Sequence, residues 1–205
     1  MQRASTLALI CLLFVCLEAA QALATPPIKC VKWYNSPNQP PATGTWSYQA
    51  KVSPLCREVV YGGARGWYLN GSQTDLTQPN GEYIRIKQTF LNIKAVVEET
   101  GATLQDITFL HVACNDLVRC RPIVNQVQIE LWGPIDHANP NHPPRGIFGD
   151  LTFNGLDCLR ADGSYYRGAV GSTGQVVCQP GDKPIGDIIE ISPRYAVPIQ
   201  NSFPF

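Results

Sequence analysis

The chain carries no excess charge: 16 Lys and Arg balance 16 Asp and Glu over 205 residues. No Lys/Arg block interrupts that balance, so the basic stripe that tracks phosphates is missing and nucleic acid is not a favoured partner. Histidine is scarce, and His111, His137 and His142 form no regular ligand pattern or triad. Beyond the first 24 residues the nearest two cysteines, Cys114 and Cys120, lie six apart, which is not a zinc-ligand spacing. Gly62-Gly63-Ala64-Arg65-Gly66 precedes a strand pattern rather than a helix, so it does not read as a phosphate loop. Neither a metal nor an organic cofactor is expected. No apolar run reaches the about 20 residues that span a bilayer, and no solenoid repeat is present.

The amino terminus reads as a secretory signal over residues 1–24. Met1-Gln2-Arg3 is basic, Leu7 to Leu17 is apolar, and Ala20-Gln21-Ala22 and Ala22-Leu23-Ala24 fit a small-residue cleavage rule. The mature protein is expected in the secretory lumen or outside the cell, with no membrane attachment after cleavage. Loss of Cys11 and Cys16 leaves Cys30, Cys56, Cys114, Cys120, Cys158 and Cys178. An even count bound for an oxidising compartment points to disulfides.

Residues 25–45 are rich in proline, asparagine and threonine and read as an extended surface arm, tethered by Cys30. Strand patterns follow at Trp46 to Val52, Glu58 to Tyr61 and Gly66 to Gly71. Ile86, Phe90, Ile93 and Val97 recur at helical spacing between Glu82 and Thr100, with Asn80 near the start as a cap and Gly101 as the stop. Asp106 to Ala113 reads as a buried strand. A second helix is expected over Pro122 to Trp132, then loop to Pro144, a strand from Gly146 to Phe153, and a closing strand at Asp187 to Ile191.

Arg145 follows Pro143-Pro144, which fix its backbone. It is placed to grip a carboxylate through two parallel charge-assisted bonds, although an ion pair at a subunit contact is an alternative use. Glu190 alternates with Ile189 and Ile191, so it points away from both, either into a cavity or to solvent.

Taken in order, these segments resemble the reactive intermediate deaminase family, also called Rid or YjgF. The resemblance spans roughly Trp46 to Val197. It rests on Trp67-Tyr68-Leu69-Asn70-Gly71-Ser72-Gln73-Thr74, on the helix from Phe90 to Glu99 with Thr100-Gly101-Ala102, on Asp106-Ile107-Thr108, Val124-Asn125, Pro143-Pro144-Arg145 and Ile189-Glu190-Ile191. It implies a chorismate-mutase-like α+β fold, a mixed sheet with two helices on one face, and a barrel-like homotrimer with ligand clefts between subunits. It implies a deaminase (hydrolase) or related tautomerase, acting on a small carboxylate-bearing imine, enamine or related unsaturated acid. Arg145 would bind the carboxylate and Glu190 would position the hydrolytic water, with Asn125, Tyr48 and Asn70 as further ligand contacts.

Against the family pattern the tyrosine at Ser47-Tyr48-Gln49-Ala50 is moved by one place, which in a strand turns it to the other face. Asn70 stands in place of a serine and Ile147 in place of a cysteine. The span from Arg145 to Glu190 is longer by about 30 residues, an insertion around 156–184. Asn70-Gly71-Ser72 is also a formal glycosylation acceptor; lining a cleft on a buried strand, Asn70 is expected to escape modification.

Six cysteines allow 15 pairings. Local organisation favours Cys30 with Cys56, Cys114 with Cys120, and Cys158 with Cys178, the last closing the insertion. An exported Rid-type enzyme is the leading reading. A secreted trimeric binding protein without turnover is the alternative, and an endoribonuclease comes third for want of basic charge and a histidine pair.

Overall fold

The computed structural model describes residues 28–35, 37–38, 44–47, 49–149 and 156–199. The leader and Tyr48 therefore lie outside the described residues. Helix α1, Gly81–Glu99, forms where the apolar period is cleanest, and Ile86, Phe90, Ile93 and Val97 are all fully buried. Each such side chain contributes roughly 1.5–3 kcal/mol relative to exposure. Asn80 precedes the helix but does not cap it with its side chain: it sits in the left-handed region at φ 63°, a conformation that its short polar side chain tolerates.

Helix α2, Leu117–Trp132, begins five residues earlier than the proline suggests. Asp116 caps it, accepting from the amides of Val118 at 2.9 Å and Arg119 at 3.1 Å. Pro122 lies inside the helix. It can supply no amide to the Val118 carbonyl, and that turn is exposed, so water can replace the missing donor.

The central sheet has the order β3-β11-β4-β5, with β3 at Cys56–Val60, β4 at Ile107–Cys114, β5 at Arg145–Phe148 and β11 at Ile189–Pro198. Strand β11 runs antiparallel to β3 and β4, while β4 and β5 are parallel. The sheet is thus mixed and the architecture α+β. Leu110, Val112, Ile189 and Ile191 join the residues of both helices in one buried core. Strand β11 outruns its apolar signal because Pro193 and Pro198 interrupt the pattern; Tyr195, Ala196 and Val197 nevertheless continue it into the core.

The amino-terminal arm is not merely a surface strap. Strand β1, Val31–Tyr34, pairs with β2, Gln49–Val52, and buries Val31 and Trp33 while Lys32 and Tyr34 face outward. The Trp33 indole N–H donates to the Ile107 carbonyl at 2.7 Å, tying the hairpin to the start of β4. The Val-Lys-Trp-Tyr alternation is too short to stand out among the prolines.

The segment expected as a strand at Gly66 to Gly71 is instead a tight excursion. Trp67 bridges Gln73, and the Tyr68 amide donates to the Ser72 carbonyl at 2.8 Å. The backbone that pairs beside β11 is earlier: Ala64 bridges Ile191.

The insertion folds into two small sheets. Strands β6 (Asp157–Leu159), β7 (Tyr165–Arg167) and β10 (Lys183–Gly186) pair in the order β10-β6-β7, and β8 (Ala169–Val170) pairs with β9 (Val176–Val177). Among the described residues the disulfides are Cys30–Cys56, Cys114–Cys120 and Cys158–Cys178, with Cα separations of 5.6, 6.2 and 5.8 Å.

Polar anchors dock the insertion on the helices. Arg85 of α1, fully buried, meets Asp157 at 2.6 Å and Asp187 at 3.2 Å. The Tyr165 hydroxyl donates to Glu82, which also pairs with Arg119 at 2.8 Å. Burial, reinforced by Glu82, pushes the Tyr165 phenol well above its ordinary range. Among the described residues no helix is long and apolar enough to cross a membrane.

Candidate functional site

Arg145 opens β5 directly opposite Leu110, a core residue, so its side chain leaves the sheet on the helix side. There it meets α2. Nη2 donates to Asn125 Oδ1 at 2.5 Å, and Nη1 donates to Gln128 Oε1 and to Thr45 Oγ1, the latter at 3.1 Å. Asn125 and Gln128 are three apart and share one face of the helix. Thr45 comes from the arm and is 1% exposed. The adjacent Ser47 hydroxyl donates to the His142 carbonyl at 2.5 Å and holds the arm over the Pro143-Pro144 turn.

Among the described residues, all the hydrogen-bond partners of Arg145 are neutral. No carboxylate among the described residues lies within ion-pair distance of it, and Nε–H and one Nη2–H make no hydrogen bond there. Burial, with Arg121 adding repulsion, lowers its pKa to about 10, so it remains charged at neutral pH. A half-buried cation ringed by neutral oxygens is oriented but not neutralised, which suits an anionic ligand.

Glu190 occupies a different place. It is opposite Ala113 on β4, in antiparallel register, on the sheet face that Leu110 and Val112 do not use. Its Oε2 accepts from Arg65 Nε at 2.8 Å and lies 2.7 Å from Arg65 Nη2, with both side chains 29% exposed. Oε1 has no hydrogen bond among the described residues. Gly63, at φ +144°, passes so close that a Cβ there would come within 2.9 Å of Oε1, a contact glycine avoids. The pair borders a cleft of about 550 Å³ whose walls include Tyr61, Trp67, Leu69 and Val96. Asn92 of α1 braces this wall by donating to the carbonyls of Arg65 at 2.8 Å and Trp67 at 2.7 Å.

The fold thus brings Arg145 and Asn125 together and adds Gln128 and Thr45. It does not bring Glu190 to them within one chain. Asn70, expected on a buried strand, is instead exposed at a turn, with its Oδ1 accepting from the Ser72 amide at 2.9 Å. Gln128 was legible as the residue one turn after Asn125. Arg65 carried no signal beyond following two glycines, because its partner Glu190 is 125 positions away. His142 is buried under Trp132, with Nε2 3.0 Å from the Gly133 carbonyl, so it supports the turn before Arg145 rather than facing a ligand. His137 is an exposed loop residue.

No family model matches the sequence, and no curated protein matches it. Solved structures do. A protein of unknown function of the Rid family, YyfB from Yersinia pestis, superposes with a TM-score of 0.51 at 15% identity, covering 82% of this chain and 98% of that one. RidA from an Antarctic Psychrobacter gives 0.41 at 20% identity over 81% and 99%. A YjgF/YER057c/UK114 family member from Mycobacterium tuberculosis gives 0.39 at 16% over 82% and 99%. With the Yersinia structure matched along nearly its full length, the chain has the fold of the Rid/YjgF proteins.

Proposed function

We propose that this chain is an exported, divergent Rid-type enzyme that hydrolyses or tautomerises a small carboxylate-bearing imine or enamine. The observation that carries the reading is the state of Arg145: charged, oriented by Asn125, Gln128 and Thr45, and without a carboxylate partner among the described residues. A substrate carboxylate would take its remaining N–H donors. The enamine tautomerises to an imine, water adds to the C=N carbon, and ammonia leaves as the keto acid forms. Glu190, with Oε1 available, would hold the water and shuttle the protons.

Because Arg145 and Glu190 leave opposite faces of the sheet, the catalytic cleft would join two copies. The sheet face away from the helices supports association: Phe148 stands 51% exposed on it, edge-on to His111 at 4.8 Å. A homotrimer, with Arg145 of one copy facing Glu190 of the next, satisfies both features. The leader and three disulfides support a secretory location.

The test is incubation with freshly generated imino acids, measuring ammonia and keto acid together. A non-catalytic binding protein is the second reading, favoured by the arm that covers Arg145 with Thr45. Tight carboxylate binding with no ammonia release would select it.

A further inference from the structure

The turn at Tyr68 to Ser72 has the features of a modification site. Asn70, Gly71 and Ser72 are all exposed, and Gly71 is held at φ +80° with open space around it. The Ser72 hydroxyl donates to Asn70 Oδ1 at 2.7 Å, beside the amide bond from Ser72 at 2.9 Å. Two donors on Oδ1 polarise the side-chain amide, while Nδ2, on an exposed residue, makes no hydrogen bond among the described residues. Beside it Leu69 is 107% exposed, an apolar side chain with no cover at the tip of the excursion.

We infer that Asn70 is an N-glycosylation site in the secretory lumen. The inference rests on the secretory part of the reading above and is independent of the catalytic part. The donor is a lipid-pyrophosphate-linked oligosaccharide. Asn70 Nδ2 attacks its anomeric carbon, the carbon–oxygen bond to pyrophosphate breaks, the lipid pyrophosphate leaves with the electron pair, and Nδ2 gives up one proton. The sequon supplies the required hydroxyl at the second residue after asparagine, and the turn already carries the hydroxyl-to-amide bond. A glycan there would shield Leu69. Tyr68 and Leu69 border the cleft at Glu190 and Asn70 does not, so the glycan would stand at the rim and screen large molecules rather than fill the cleft.

The full chain with its own leader, and separately with a heterologous leader, is expressed in a eukaryotic secretory line as wild type, Asn70→Gln and Ser72→Ala. Protein from the medium is weighed intact, before and after peptide N-glycosidase. Wild type is expected to lose mass on digestion and to leave aspartate at position 70 in the peptide map; both variants are expected at the polypeptide mass throughout. Secreted wild type at the bare polypeptide mass overturns the glycan. Retention in the cytosol with an uncleaved leader overturns the secretory reading instead, and the heterologous leader then decides Asn70 alone: unmodified protein from that arm rejects the site.

Discussion

Arg145 and Glu190 stand on opposite faces of one sheet, Arg145 opposite Leu110 and Glu190 opposite Ala113 three residues further along β4. Side chains alternate across a strand, so an odd offset separates them whatever their rotamers. If both serve one cleft, the cleft is shared between copies. Arg145→Ala and Glu190→Gln should each abolish most turnover alone, and co-refolding an equal mixture should restore about a quarter of the clefts, since random assembly pairs an intact arginine with an intact glutamate that often. Ammonia release assayed on the mixture checks this, and no recovery would place both roles within a single subunit.

Ligand binding should depend on Arg145 and tolerate the loss of Glu190. Removing a charge-assisted bond costs about 1.5–3 kcal/mol, so Arg145→Ala is expected to weaken a small keto acid roughly 10- to 100-fold in calorimetry. Glu190→Gln should change that affinity little. Equal affinity in parent and Arg145→Ala would assign the guanidinium to structure.

Arg85 should be the most damaging surface-remote substitution in α1. Its guanidinium answers two buried carboxylates, Asp157 and Asp187, and Thr74. Arg85→Met would leave both acids without their buried counter-charge, at a cost of about 3–5 kcal/mol. Burial already raises the Asp157 pKa against the pull of Arg85, and the variant should raise it further. A group raised in the folded state stabilises below its unfolded pKa and loses that contribution as pH rises through its folded value, so the variant's deficit should be smaller at pH 4 than at pH 8. Urea midpoints at the two pH values measure it.

His142 should make the fold acid-sensitive. Burial, helped by the nearby Arg145 charge, holds its pKa below the ordinary value. The unfolded chain therefore binds the proton first, and stability should fall as pH drops below about 6.5 and level off below the folded pKa. His142→Gln, which can still donate to the Gly133 carbonyl, should flatten that slope. An unchanged slope in thermal melts from pH 7.5 to 5 would place the acid-sensitive group elsewhere.

Much of the fold was legible because its signals are local. The period of Ile86, Phe90, Ile93 and Val97 and the run Ile107 to Val112 each specify an element within one window, and their order with Pro143-Pro144-Arg145 and Ile189-Glu190-Ile191 resembles one family. Joining each cysteine to its neighbour in sequence was the favoured one of 15 arrangements, and those three pairs are the ones within bonding distance. The excursion at Trp67 to Gln73 misled because its aromatic residues read as a strand, while its two ends pair with each other and leave Asn70 in water.

By itself the sequence determined that there are two amphipathic helices, the buried strands around Ile107 to Val112 and Ile189 to Ile191, a favoured set of disulfide partners and the identity of the charged residues. Tertiary structure alone decided which polar groups those charged residues meet. Arg145 finds Thr45 100 positions away, Arg65 finds Glu190 125 positions away and Arg85 finds Asp187 102 positions away. Such pairs leave no periodic trace in a chain, because strand order and register, set by burial of the apolar core, choose the neighbours of every side chain that the core does not use.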